Sequence, residues 1–111
     1  MFPHYLARKY PDRRFGFISS TQDGTIRLFF SFGYPNCTNP NVAQYPAAVF
    51  EEGVLDLATR LEPFSNAHAY VINSSSHVWI DDLGTTSGGV NLGAWLTDFV
   101  NGAPTWQTVL P

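Results

Sequence analysis

The stretch Ala67-His68-Ala69-Tyr70-Val71-Ile72-Asn73-Ser74-Ser75-Ser76-His77-Val78-Trp79 decides how this chain is read. Its first half, Ala67 to Ile72, is short and mostly apolar, holds aromatic and β-branched side chains, and is bounded by an Asn-Ser-Ser-Ser cluster. A run of that length and composition predicts a strand covered on both faces, as in parallel sheets. The second half presents His77 beside the aromatic Trp79. An imidazole just past the C-terminal end of a buried strand stands where open α/β sheets place their chemistry.

Upstream, Arg14-Phe15-Gly16-Phe17-Ile18-Ser19 reads as a second strand, in which Gly16 marks a close approach of another backbone. It runs into Ser20-Thr21-Gln22-Asp23, and Asp23 stands at the N-cap of a helix over Gly24 to Phe32, where free amides and the helix dipole favour a carboxylate. Before it, Phe2 to Tyr10 carries Arg8 and Lys9 and stops at Pro11, the signals of a helix C-terminus. Gly33 to Gln44, rich in Pro and Asn, is a predicted loop. Pro46 suits the first turn of the helix that follows, with Val49, Phe50, Val54, Leu57, Ala58 and Leu61 on one stripe and Pro63 ending it.

Beyond the organising strand, Thr85-Thr86-Ser87-Gly88-Gly89 reads as a flexible loop. Asn91 then caps a helix with Leu92, Trp95, Leu96 and Phe99 on one face, and Asn101-Gly102 ends it. Trp106 and Val109 are left for packing. Strands alternating with helices predict an α/β chain whose two adjacent parallel strands are joined by a right-handed crossover. Two parallel strands leave their edges unpaired and do not form a stable sheet alone. Residues 1–111 are therefore expected to be a single partial domain, one end of a larger sheet completed by an upstream segment or a partner chain.

Composition points the same way. Charged residues are 14% of the 111 residues against 44% hydrophobic and 15% aromatic, well under the usual charged share of about 25%, so some aromatic faces are expected to meet other protein. A net charge of −3 gives no basic footprint for nucleic acid. No apolar run approaches the roughly 20 residues of a membrane span. The N-terminus, with Pro3 and His4, has no apolar segment of a signal peptide. Cys37 has no partner for an intrachain disulfide, and Asn36-Cys37-Thr38 and Asn73-Ser74-Ser75 are glycosylation sequons.

Two chemistry-bearing residues follow the two predicted strands: Asp23 after the first and His77 after the second. Adjacent parallel strands ending in one plane would let the Asp23 carboxylate hold His77 Nδ1, the geometry of a general base and its orienting acid. The plain alternatives are a helix N-cap for Asp23 and an idle loop histidine for His77. His77, Asp81 and Asp82 match no zinc or calcium spacing, and no residue pattern calls for a cofactor. Ser74, Ser75 and Ser76 sit too close to His77 along the chain for attack geometry. His4 and His68 read as surface or packing residues, and Trp79, Trp95 and Trp106 as core or pocket wall, Trp79 nearest the site.

Arg14 to Phe32 (RFGFISSTQDGTIRLFFSF) and Ala69 to Trp106 (AYVINSSSHVWIDDLGTTSGGVNLGAWLTDFVNGAPTW) resemble the C-terminal third of pectinacetylesterase-like α/β hydrolases, in particular bacterial members. The resemblance implies a serine carboxylic-ester hydrolase, secreted or periplasmic, acting on esters such as acetylated polysaccharide. It implies that Asp23 matches the triad acid and His77 the triad base, and that Gly89-Val90-Asn91-Leu92 to Trp95-Leu96 is the closing helix. The family's Gly-x-Ser-x-Gly nucleophile elbow is absent: Gly84-Thr85-Thr86-Ser87-Gly88 puts its serine one place late with no strand before it. The oxyanion-hole segment, also expected upstream, is missing. Plant members surround their histidine with cysteines, and this chain has only Cys37. The alternative function is a non-catalytic carbohydrate-binding or subunit-assembly module.

Overall fold

The computed structural model describes residues 2–32 and 43–111; Cys37 and the Asn36 sequon lie outside the described residues. In chain order the elements are α1 (Phe2–Lys9), β1 (Phe15–Ser20), α2 (Gly24–Ser31), α3 (Ala47–Leu61), β2 (Ala67–Ile72), β3 (Thr86–Ser87), β4 (Val90–Asn91) and α4 (Leu92–Asn101). The class is α/β, with two adjacent parallel strands, β1 and β2, and flanking helices.

Strand β2 is the centre because its sequence serves two cores. Alternate side chains point to opposite faces. Ala67, Ala69 and Val71 face one core with Phe50, Val54, Ala58 and Leu61 of α3 and Ala7 of α1. Tyr70 and Ile72 face a second core with Leu92 and Trp95 of α4, Trp106 and Val109. Small residues at 67 and 69 let α3 lie close, and large aromatics fill the α4 side. The two-face burial expected from the apolar run is what the strand shows.

Register places Phe15 opposite Ala67 and Ser20 opposite Ile72, so β1 and β2 end level. On the far edge of β2 the tail adds a short parallel bridge, Tyr70 to Val109, through Val71 N–H to Val109 O at 2.9 Å and Val109 N–H to Ala69 O at 2.8 Å. The sequence marked Val109 for packing only; its backbone pairing has no side-chain signature. The outer edge of β1 pairs with no strand among the described residues.

Four other local expectations change. Gly16 accommodates a side chain, since a Cβ there would meet the Trp95 ring at 3.0 Å. Val49 lies on the outer flank of the α3 stripe and is 46% exposed. Pro46 is the N-cap of α3, one residue before the first turn. Thr85 to Gly89 is no open loop. It holds β3 and, through Gly88 and Gly89 at φ 52° and 78°, turns into β4 as a two-residue hairpin.

Tyr70 fastens that hairpin to the core. It is fully buried, its hydroxyl donates to Val90 O at 2.5 Å and accepts from Ser87 N–H at 2.9 Å. Burial pushes the phenol above its ordinary pKa, opposed by the Ser87 hydrogen bond. Asn91 then caps α4 by accepting from Ala94 N–H at 3.0 Å, and Gly102, at φ 64°, closes its end. Arg14 reaches across to that end, donating to Phe99 O and Val100 O at 2.8 Å each. Tyr70→Phe should strand the Ser87 amide and the Val90 carbonyl; urea unfolding should show a loss of about 1–3 kcal/mol with an unchanged m-value.

Candidate active site

Past their last residues, β1 and β2 stay hydrogen-bonded as loops. Thr21 N–H donates to Ile72 O at 2.8 Å, Gln22 N–H to Ser74 O at 3.0 Å and Gly24 N–H to Ser75 O at 2.9 Å. Ser20 Oγ donates to Ser76 O, and Thr21 Oγ1 to Asn73 Oδ1 at 3.3 Å. The polar Ser-Ser-Thr and Asn-Ser-Ser-Ser runs are thus the means by which two loops are joined into one ledge at the C-terminal end of the sheet.

Asp23 and His77 meet on that ledge. Asp23 Oδ2 lies 2.7 Å from His77 Nδ1, across 54 residues of sequence. The other carboxylate oxygen accepts Ile26 N–H at 2.8 Å, so Asp23 both caps α2 and holds the imidazole. The helix cap and the contact to His77, read from sequence as alternatives, are made by the same carboxylate. Asp23 is 4% exposed, whereas the His77 side chain is 42% exposed. A buried acid fixes one ring nitrogen and leaves Nε2 of an open ring free to take a proton.

Trp79 lies in the same ledge: its indole N–H donates to Ser20 Oγ at 3.0 Å, and its ring packs against the α4 core. With Ile18, Val78, Ile80, Leu83 and Leu96 it walls an apolar hollow of about 270 Å³ into which His77 also opens. Ser20 was invisible as a site residue, because its role is to orient Trp79 and the His77 loop.

No hydroxyl among the described residues hydrogen-bonds His77. Ser87, the displaced serine of the Gly-Thr-Thr-Ser-Gly run, is buried and donates to Val71 O at 2.5 Å. Ser74 Oγ accepts Ser76 N–H at 3.1 Å. Asp82 accepts from Thr85 Oγ1 at 2.8 Å, a local turn contact. Among the described residues no group of three or more His, Cys, Asp or Glu could hold a metal ion, and no helix is long and apolar enough to cross a membrane. His68 packs edge-on to Trp106 at the other end of β2, where burial lowers its pKa.

Comparison with family models, curated proteins and solved structures finds no match for this chain.

The dyad geometry makes a spectroscopic demand. With Asp23 accepting from Nδ1, the neutral His77 ring carries its proton there, and nitrogen-15 shifts of the imidazole should report the Nδ1–H tautomer. Asp23→Asn keeps the cap but can present an N–H to the ring, and the shifts should move toward the Nε2–H tautomer. Unchanged shifts would show that Asp23 does not set the tautomer.

Proposed function

We propose that this chain is the acid–base portion of a serine carboxylic-ester hydrolase, the C-terminal part of an α/β-hydrolase sheet. The single observation that carries the reading is the 2.7 Å contact between buried Asp23 and open His77 at the level ends of two parallel strands. Nucleophile and oxyanion donors come from an upstream segment or a partner chain, seated against the unpaired edge of β1. Exposed Phe29, Phe30 and Phe32 at α2 and its end, 56–64% open, support an assembly that covers that helix.

The serine oxygen attacks the ester carbonyl while His77 Nε2 takes its proton. The imidazolium hands that proton to the departing alcohol, then activates water against the acyl-enzyme. Asp23 stays ionised, holds Nδ1–H and stabilises the imidazolium. The α/β-hydrolase order of serine, acid and histidine along the chain fits Asp23 preceding His77 with the serine further upstream. The resemblance to pectinacetylesterase-like proteins supplies acetylated polysaccharide as substrate class.

The test is kinetic. In the enzyme completed by its upstream segment or partner, His77→Ala should lower kcat/KM by several orders of magnitude, while residues 1–111 alone should show no turnover above background. A rate held within about threefold would remove the triad and favour a binding or assembly module.

A further inference from the structure

Ser76 to Trp79, the segment that presents His77, belongs to no helix or strand. Among the described residues, three hydrogen bonds tie it to β1 and to the cap of α2. One runs from His77 Nδ1 to Asp23. The other two converge on Ser20 Oγ, which donates to Ser76 O and accepts the Trp79 indole N–H at 3.0 Å. A single hydroxyl therefore holds the chain one residue before the imidazole and two residues after it.

The task suits a hydroxyl. Ser76 offers a carbonyl, which needs a donor, and Trp79 offers an N–H, which needs an acceptor; a serine oxygen is both at once. Ser20 is 1% exposed and stands opposite Ile72, the last residue of β2, so the sheet itself fixes where its oxygen lies. The Trp79 ring packs against the core of Tyr70, Ile72, Leu92 and Trp95, so the second contact reaches a side chain already held by burial. Both partners lie in the loop after β2, and neither contact depends on what covers the outer edge of β1. Asp23 alone fixes a ring nitrogen, which leaves the backbone carrying the ring free to pivot about that one bond.

We propose that Ser20 is a positioning residue for His77, holding Nε2 where the attacking serine must reach it, and that Trp79 is the second arm of the same clamp. This rests on the Asp23–His77 reading and adds to it a residue that touches neither substrate nor the reacting atoms. A catalytic group displaced by about 1 Å costs on the order of 100-fold in rate. A clamp on the imidazole therefore acts on the chemical step and leaves substrate binding nearly as it was.

Two readouts test it. In the full chain, nitrogen-15 shifts of His77 in Ser20→Ala should move from the Nδ1–H tautomer toward a mixture of both, although Asp23 is untouched; a loss of stability measured well below the melting temperature does not do this. In the completed enzyme, Ser20→Ala should lower kcat about 10–100-fold with KM held within about threefold. Trp79→Phe removes one arm and keeps the hydroxyl, so it should move both readouts the same way by less. The double substitution should be within about twofold of Ser20→Ala alone, because both act through one oxygen. An unchanged tautomer and kcat in Ser20→Ala, a fall in rate carried by KM, or fully additive losses in the double variant overturn the clamp and leave the dyad standing. Should Ser20→Ala fail to fold, Trp79→Phe decides alone, and an unchanged tautomer and kcat in it overturn the clamp. A tautomer shift in Ser20→Ala beside an undiminished rate in His77→Ala overturns the chemistry of the dyad and with it the part given to Ser20.

Discussion

Everything at the candidate site depends on the parallel pairing of β1 and β2 continuing after the strands themselves have ended. Three backbone hydrogen bonds, from the amides of Thr21, Gln22 and Gly24 to the carbonyls of Ile72, Ser74 and Ser75, hold the two exit loops at strand-like separation. Each loop would otherwise sample many conformations, and bringing Asp23 to His77 would cost the entropy of ordering both. Joined in this way, the carboxylate and the imidazole are held by backbone that is ordered for other reasons. The same continuity explains why both loops are built from Ser, Thr and Asn, whose side chains add hydrogen bonds between them.

Asp23 shows how economically the fold uses a buried charge. A carboxylate at 4% exposure needs partners for both oxygens, and it has them: the Ile26 amide at the start of α2 and the His77 ring. Helix initiation and imidazole orientation are therefore one structural event, and the half-open ring beside it is the part left accessible for chemistry.

The sheet separates two unlike interiors. On the α3 side the centre of the packing is small and aliphatic, Ala58, Leu61, Ala67 and Ala69, with Phe50 and the partly buried Phe15, Phe17 and Phe64 around it. On the α4 side it is aromatic, with Trp95, Phe99 and Trp106 in mutual ring contact and Tyr70 against Trp95. The aromatic side is also the one that reaches the hollow, through Trp79 and Leu92. The edge of β1 opposite β2 carries no strand among the described residues, and an open edge is a template for pairing. Exposed large apolar side chains such as Phe29, Phe30, Phe32 and Ile80 are the structural counterpart of the low charge content.

The sequence by itself determined the limits of β2, the two-face burial of that strand, the stripe of α3, and both caps of α4. Each is written in local signals: an apolar run bounded by polar residues, a period near 3.6, an Asn before the helix and a Gly after it. It also named Asp23 and His77, because both follow strands that open sheets end in one plane. What only the tertiary structure decided is everything carried by backbone atoms or by distant partners. The Val109 bridge, the hairpin locked by Tyr70, the Arg14 cap on α4 and the Ser20 hold on Trp79 leave no periodic trace, since amides and carbonyls are the same in every residue. The hollow belongs to this second group: its walls come from β1, the loop after β2 and α4, and no spacing along one segment could have shown that their aliphatic side chains surround the same imidazole.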